Sequence, residues 1–313
     1  MNIFTTSWGD LGLTRFPEDP RDRLRAWDAS DEYLLRHLEG ETLAGTVAVV
    51  GDRWGALATA LAAYRPVQIS DSYLAQRATR ANLARNRTAA ETEGVRLLST
   101  RDTPPDRIDV LLVRVPKSLA LLEDQLQRLA PRLTRDTLVV GTGMVTEIHT
   151  STLRLFERIV GPTRTSLAAK KARLIHCTPD PDRIGPAAAA QEAWPRTYAL
   201  PDGIGVMSGR PVTNHAGIFC ADRLDIGTRF LLEHLPDRRG PSASWTWAAA
   251  TEWWVRRWRS PTRRPRWCSR TSRTRPSPRP RPPSGPTPAR RPGPPSWSAT
   301  HCPVPNATPS TSY

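Results

Sequence analysis

Over residues 240–313 the sequence contains no Leu, Ile, Phe, Met, Asp or Lys. A segment without those side chains cannot bury enough apolar surface to offset the entropy of ordering it, which excludes a folded domain there. It is predicted to be a disordered Arg/Pro-rich tail. Cysteine is also scarce. Cys177, Cys220, Cys268 and Cys302 have neither CxxC nor ligand-like spacing. That excludes a disulfide framework, gives no reason to expect a metal, and fits a reducing cytoplasm. Cys177 and Cys220 are expected to be ordinary buried thiols. No apolar run approaches the ~18 residues of a membrane span, so no membrane partner is expected. The opening MNIFTTSWGDLGLTRF lacks the basic and apolar regions of a signal peptide.

What is present is unevenly divided. The formal charge is +15, yet residues 1–239 hold 29 acidic against 32 basic residues. The tail holds 13 Arg and a single acid, Glu252, with 16 of the 31 prolines and 7 of the 11 tryptophans. Five of those tryptophans fall in "SASWTWAAATEWWVRRWRSP" (242–261). The basic balance therefore describes the tail, not the body.

The body alternates. "TVAVVGD" (46–52), "PVQISD" (66–71), "VRLLST" (95–100), "IDVLLVRVP" (108–116) and "TLVVGTG" (137–143) read as strands. "RWGALATALAAY" (53–64), "SYLAQRATRANLARN" (72–86), "SLALLEDQLQRLAPRL" (118–133) and "IHTSTLRLFERIVG" (148–161) read as helices. Leu74, Ala78 and Ala81 mark one face of the second helix; Leu119, Leu122, Leu126 and Leu129 mark the buried face of the third. Continuously apolar strands separated by helices predict an α/β fold, a doubly wound, mostly parallel sheet covered on both faces. After residue 161 the alternation stops, and "RTSLAAKKARLIHC" and "RTYALPDGIGVMSG" read as paired antiparallel strands or an extension.

Ligands of such sheets sit at the carboxyl ends of the strands. The first strand-to-helix turn there, "VVGDRWGAL" (49–57), has glycines only at 51 and 55. Arg53 stands where GxGxxG needs its second glycine, and Trp54 adds bulk, so a nicotinamide oxidoreductase is unsupported. Asp71, at the end of the second strand, reads either as a ribose-binding acid or as an acid near a helix N-cap.

Five segments in order carry a resemblance: "AWDASDEYLLRHL" (26–38), "SDSYLAQRATRANLARN" (70–86), "VRVPKSLALLEDQL" (113–126), "EIHTSTLRLFERIVGPTRTSLAAKKARLIHC" (147–177) and "NHAGIFCADRLDIGTRFLLEHLP" (214–236). Together they resemble the N-terminal half of the bacterial ribosomal RNA guanine-N2 methyltransferases, most closely the large-subunit (23S) type. The resemblance implies two tandem methyltransferase-like, Rossmann-like domains. The first has lost cofactor chemistry; the second binds S-adenosyl-L-methionine and methylates a flipped-out guanine. On that basis residues 1–210 are expected to be the degenerate, non-catalytic domain, 211–239 the lead-in to the catalytic one, and 240–313 the tail. "VPKS" (115–118) stands where the resemblance puts an Asn-Pro-Pro-aromatic turn and lacks both Asn and aromatic. In "GIFCADRLDIGTRFLL" (217–232) the resemblance makes Phe219, Asp225, Gly227 and Thr228 cofactor-site residues; read alone, the stretch is equally a strand-turn-helix connection with Asp225 as a cap. The partner implied is 23S rRNA, in the cytoplasm.

The family's glycine loop, Val-Val-Asp-Leu-Gly-Cys-Gly-Asn-Gly, is due just after residue 236. The tryptophan stretch occupies its place, and Trp has the single codon TGG. Reading the last base of each codon with the first two of the next, Trp245–Thr246 forces Asp, Trp247–Ala248 forces Gly, Trp253–Trp254 forces Val and Trp254–Val255 forces Gly. The codons between permit Asp-Leu-Gly-Cys-Gly-Asn-Gly-Val-Val-Gly. In the same frame "RWCSRTS" (266–272) permits Val-Val-Phe-Thr-Asp-Glu, a strand ending in an acid, and "WSATHC" (297–302) permits Val-Gly-Asp-Ala-Leu. A frameshift near residues 237–242 is therefore expected, with an out-of-frame tail and no catalytic residues in this chain. The alternative is a non-catalytic RNA-binding module: Lys170, Lys171 and Arg173 on one strand or edge as phosphate contacts or as a solvated strand face, with a basic tail adding salt-dependent affinity.

Overall fold

A computed structural model describes residues 2–185 and 194–234; the expected disorder of the tail, and Cys268 and Cys302, lie outside the described residues. The chain opens with an antiparallel hairpin, β1 (Asn2–Thr6) and β2 (Gly9–Leu13), followed by α1 (Ala29–Leu38). Then come β3 (Val47–Val50), α2 (Ala56–Ala60), β4 (Val67–Ser70), α3 (Tyr73–Asn86), α4 (Ala89–Gly94) and β5 (Arg96–Ser99). β6 (Val110–Arg114), α5 (Leu119–Leu129), β7 (Leu138–Met144), α6 (Thr150–Ile159), β8 (Thr163–Thr165) and β9 (Ala172–Cys177) complete a seven-stranded sheet of order β5-β4-β3-β6-β7-β9-β8. Strands β3 to β7 pair in parallel, and β9 runs antiparallel to both β7 and β8.

Every residue of β3 is buried, but the pleat still sorts them. Val47 and Val49 join one core with Leu34, Leu35 and Leu38 of α1 and Leu57 of α2. Ala48 and Val50 join the other with Leu122, Leu126 and Leu129 of α5 and Phe156 of α6. Helices on both faces explain why the strands read as unbroken apolar runs. Each fully buried Leu contributes about 2 kcal/mol. Side-chain caps set the helix starts: Ser72 Oγ accepts from the Ala75 amide (3.2 Å) and Ser118 Oγ from that of Leu121 (3.3 Å).

Several local expectations are corrected. The buried face of α3 is Ala75, Ala78, Thr79, Asn82 and Leu83, whereas Leu74 is 51% exposed. The polar members are buried because they are bonded. Asn82 exchanges hydrogen bonds with the Thr14 backbone and donates to the Trp54 carbonyl, and Asn86 exchanges them with the Gly12 backbone. Two asparagines one turn apart thus pair the helix to the backbone of β2 and the residue after it. Leu119 is exposed at the start of α5, with Leu121 buried in its stead. The helix expected over 53–64 shortens to α2 and a 3-10 turn at Ala62–Tyr64. Cys177 is buried, and its burial pushes the thiol up to about 11; Cys220 is only half-buried.

The two late segments do not pair with each other. The first forms β8 and β9. The second supplies β10 (Arg196–Ala199), which pairs antiparallel with β11 (Pro211–Asn214). Leu200, Ile204, Met207 and Val212 gather there with Leu232 of α7 (Ile226–His234) into a small core of their own. Among the described residues no helix is long and apolar enough to cross a membrane.

Candidate functional site

β4 leaves β3 on one side and β6 flanks it on the other, so the crevice between the carboxyl ends of β3 and β6 is the place where such a sheet binds ligands. Gly51 and Gly55 shape the loop there. Both have positive φ (75° and 81°). A Cβ on Gly51 would lie 2.7 Å from the Arg114 carbonyl oxygen, and one on Gly55 would lie 2.5 Å from Thr79 Cα. These two glycines serve close backbone packing; the position that would face a ligand is Arg53.

The crevice is filled with charge. Arg114, the last residue of β6, is 1% exposed and pairs with Asp28, with Asp31 (3.2 Å) and with Glu147 (3.8 Å). Arg53 bridges two of the same acids, 3.5 Å from Asp28 and 2.5 Å from Glu147. Asp28 is also the N-cap of α1, bonded to the Ser30 amide, and Asp31 closes the capping box onto the Asp28 amide. The acids thus start a helix and hold the guanidiniums at once. Burial works against Arg114's charge, but Asp31 and Asp28 outweigh it and raise its pKa. Burial likewise opposes ionisation of Asp28, yet Arg114 and the Ser30 bonds hold its carboxyl below the usual value. Asp31 goes the other way, raised by burial despite Arg114.

Asp52 completes the site. The first-turn amides of a helix form an anion site, and at α2 the chain's own carboxylate takes it. Asp52 Oδ1 accepts from the Gly55 (2.9 Å) and Ala56 (3.1 Å) amides, and Oδ2 from that of Ala58 (2.9 Å). Burial and the nearby Asp31 push this carboxyl from 3.8 up to about 6. Between those values the folded chain holds a proton that the unfolded chain releases. Stability therefore falls as pH rises through the window and is level above it. In Asp52→Asn the decline is expected to shrink to the part that Asp31, also raised, contributes. Urea midpoints of wild type and variant, compared from about pH 4 to 7, check this; parallel curves contradict it. Asp28, with its lowered pKa, acts oppositely and cancels in the comparison.

An S-adenosyl-L-methionine molecule does not fit these residues. The helix amides are taken, Arg53 and Trp54 replace the loop's open position, and Arg114 closes the end of β6. Arg114 Nε is buried without a partner, but one N–H beside a filled crevice is no cradle. Among the described residues no cluster of His, Cys, Asp and Glu could hold a metal.

The sequence-predicted residues lie elsewhere. Phe219 (75% exposed) and Asp225 lie in the connection from β11 to α7, and Gly227 and Thr228 in the first turn of α7. Asp225 Oδ2 accepts from the Thr228 amide (3.0 Å), capping α7. No hydrogen bond or ion pair among the described residues joins the four to the crevice. Lys170 and Lys171 are not on a strand. They form the two-residue tip between Ala169 and Ala172, with positive φ at both (49° and 65°); non-glycine residues pay about 1 kcal/mol each for that geometry. Lys170 Nζ pairs with Glu32 (2.8 Å) and Lys171 is exposed. Arg173, on β9, is half-buried with Nε lacking a partner. Asp71 is exposed beside the capping Ser72. Sequence reasoning missed Asp28, Asp31, Arg114 and Glu147. Their one signal was an Arg ending an otherwise apolar strand.

Residues 1–181 match the family described as the RLMG N-terminal domain. The chain is 70% identical over 234 residues to the ribosomal RNA large subunit methyltransferase G of Streptomyces avermitilis, covering 74% of this chain and 60% of that protein. It is 72% identical over 234 residues to the protein of the same name from Streptomyces coelicolor, with the same coverage, and 45% identical over 230 residues to that from Erwinia tasmaniensis (72% and 58%). It thus spans about 60% of the length of these relatives. A T. Thermophilus 16S rRNA N2 methyltransferase, solved with AdoMet and guanosine, superposes with a TM-score of 0.50 at 13% identity, covering 74% of this chain and 57% of that one. That likeness concerns the fold, and the sheet is the methyltransferase-like, Rossmann-like arrangement the sequence led one to expect. The chain belongs to the RLMG N-terminal domain family.

Proposed function

We propose that this chain is the non-catalytic, rRNA-facing part of a cytoplasmic 23S rRNA guanine-N2 methyltransferase, and that it cannot itself transfer a methyl group. The filled crevice carries the reading: Arg53, Arg114 and their acids, with Asp52 on the α2 amides, leave the expected cofactor position to the protein's own side chains. Residues 1–210 then act as the degenerate domain. Phe219, Asp225, Gly227 and Thr228 form the lead-in, cofactor-lining only when a catalytic domain follows. In this chain residues 240–313 follow instead, read out of frame. The relatives' printed names, and their length beyond the matched region, support placing the chemistry after residue 236.

Titration calorimetry of the 313-residue chain with S-adenosyl-L-methionine is expected to give no binding heat, and tritiated methyl transfer to rRNA no product. Saturable binding by this chain overturns the proposal. The base sequence across codons 236–246 tests the frame separately: it should carry a one-base insertion or deletion relative to the S. avermitilis gene.

A further inference from the structure

The N-terminal hairpin has two edges, and the fold treats them differently. On the β2 edge, Gly12 turns both backbone groups away from β1. Its amide donates to Asn86 Oδ1 (2.7 Å), and its carbonyl accepts from Asn86 Nδ2 (3.0 Å). Gly12 stands opposite Ile3. In an antiparallel ladder, residues directly opposite each other either exchange both bonds or both point away. Ile3 therefore directs its N–H and C=O outward on the β1 edge, and by alternation so does Thr5. Among the described residues β1 pairs with no strand besides β2, and neither Ile3 nor Thr5 has a backbone partner on its outer side. Ile3 is 57% exposed, and Thr5 is exposed too. An open edge of this kind is a template for a further strand; the asparagine of α3 closes it on β2, and nothing described closes it on β1.

A groove of about 410 Å³ lies along β1, with α1 as its other wall. The buried side chains of Trp27 and Leu35 line its floor. Charge does not select its occupant: Arg25, Arg36 and Lys170 stand against Glu32 and Glu39, and Lys170 is bonded to Glu32 (2.8 Å). The unmet backbone groups do select it. Two N–H and two C=O groups, repeating at every second residue, match the main chain of another extended peptide. A nucleic acid backbone carries no such alternation of donor and acceptor. On an added strand, the residue opposite Phe4 turns inward as Phe4 does, toward Trp27 and Leu35, while those opposite Ile3 and Thr5 face solvent.

We propose that β1 accepts a third, antiparallel strand: an extended peptide segment of a protein partner, lying in the groove between β1 and α1. The segment matches the five residues of β1, about 17 Å of strand. It is polar at alternate positions and carries an apolar side chain opposite Phe4. Main-chain bonds to Ile3 and Thr5 supply the affinity, and the Trp27–Leu35 floor supplies the selectivity. This site is independent of the rRNA reading.

Hydrogen–deuterium exchange of the full chain tests it, with acetyl-Thr-Thr-Val-Thr-Thr-amide at millimolar concentration as the probe. The Ile3 and Thr5 amides are expected to exchange as exposed amides in the free protein. They should slow by about tenfold once the peptide reaches about ten times its Kd. The peptide N-methylated at its second and fourth residues has lost the donors that face β1 and should give no protection. The peptide N-methylated at its central residue, whose N–H faces the other way, should protect as the parent does. Ile3→Pro, a change that edge strands tolerate where the N–H faces outward, should keep the wild-type far-UV spectrum and leave Thr5 unprotected. Equal protection by the two methylated peptides, or none by the parent, overturns the proposal. So does protection that rises with protein concentration alone, which marks β1 pairing with a second copy, or protection given by a single-stranded rRNA fragment in place of the peptide.

Discussion

Arg114→Met is expected to destabilise the chain by about 3–5 kcal/mol, the usual cost of removing one partner from a buried ion pair. The arginine is 1% exposed and faces Asp28, Asp31 and Glu147. Among the described residues, removing it leaves Arg53 as the only guanidinium paired with these acids, and Arg53 does not pair with Asp31. The loss should show as a shifted urea midpoint with an unchanged slope, and as a fall of roughly 10 °C in melting temperature. A companion variant separates charge from packing. Arg114→Met with Asp31→Leu removes the acid most strongly desolvated, which burial already pushes toward its neutral form. Replacing a buried pair with apolar side chains is often neutral, so the double variant should recover about half of the loss or more. A single variant within about 1 kcal/mol of wild type would show that the network is ornamental.

The same network shows why part of this site was legible and part was not. The loop's departure from GxGxxG is local, and Arg53 at the second glycine announces it within six residues. Its partners do not announce themselves. Asp28 lies before the first sheet strand and Glu147 beyond β7, and only the parallel sheet brings them to one crevice. The strands were legible because burial on both faces makes them unbroken apolar runs. The N-terminal hairpin was not, since "GDLGL" is glycine-rich and draws its support from afar: Asn86 on the Gly12 backbone, and Phe4 stacked on Trp27 at 4.7 Å. The buried face of α3 was misread for a related reason. Periodicity favoured Leu74, but Thr79 and Asn82 can be buried because Thr79 Oγ1 bonds the Ala75 carbonyl and Asn82 bonds the Thr14 and Trp54 backbone.

Shifting the reading frame by one base near codon 240 is expected to confer S-adenosyl-L-methionine binding and rRNA methylation, which the proposed function denies to the chain as it stands. The effect is the largest anticipated here, since enzymatic methyl transfer exceeds the uncatalysed rate by roughly 10⁶ or more. Trp245–Thr246, Trp247–Ala248, Trp253–Trp254 and Trp254–Val255 force Asp, Gly, Val and Gly, whichever synonymous codons surround them. The first two fall at the Asp and the first Gly of the family's cofactor loop, and the last two just past its final glycine. As translated, residues 240–313 lack Leu, Ile, Phe, Met, Asp and Lys and carry Glu252 as their single acid. The reframed chain should give saturable calorimetric binding and tritium transfer to 23S rRNA, while the chain as it stands should give neither. Arg53 and Arg114 should be dispensable for that binding, because they fill a crevice in the first domain and the loop belongs to the second. A reframed protein that folds yet shows no cofactor heat would leave the tryptophan stretch without an explanation in the frame, and would return the basic tail to being read as a polyanion-binding segment in its own right.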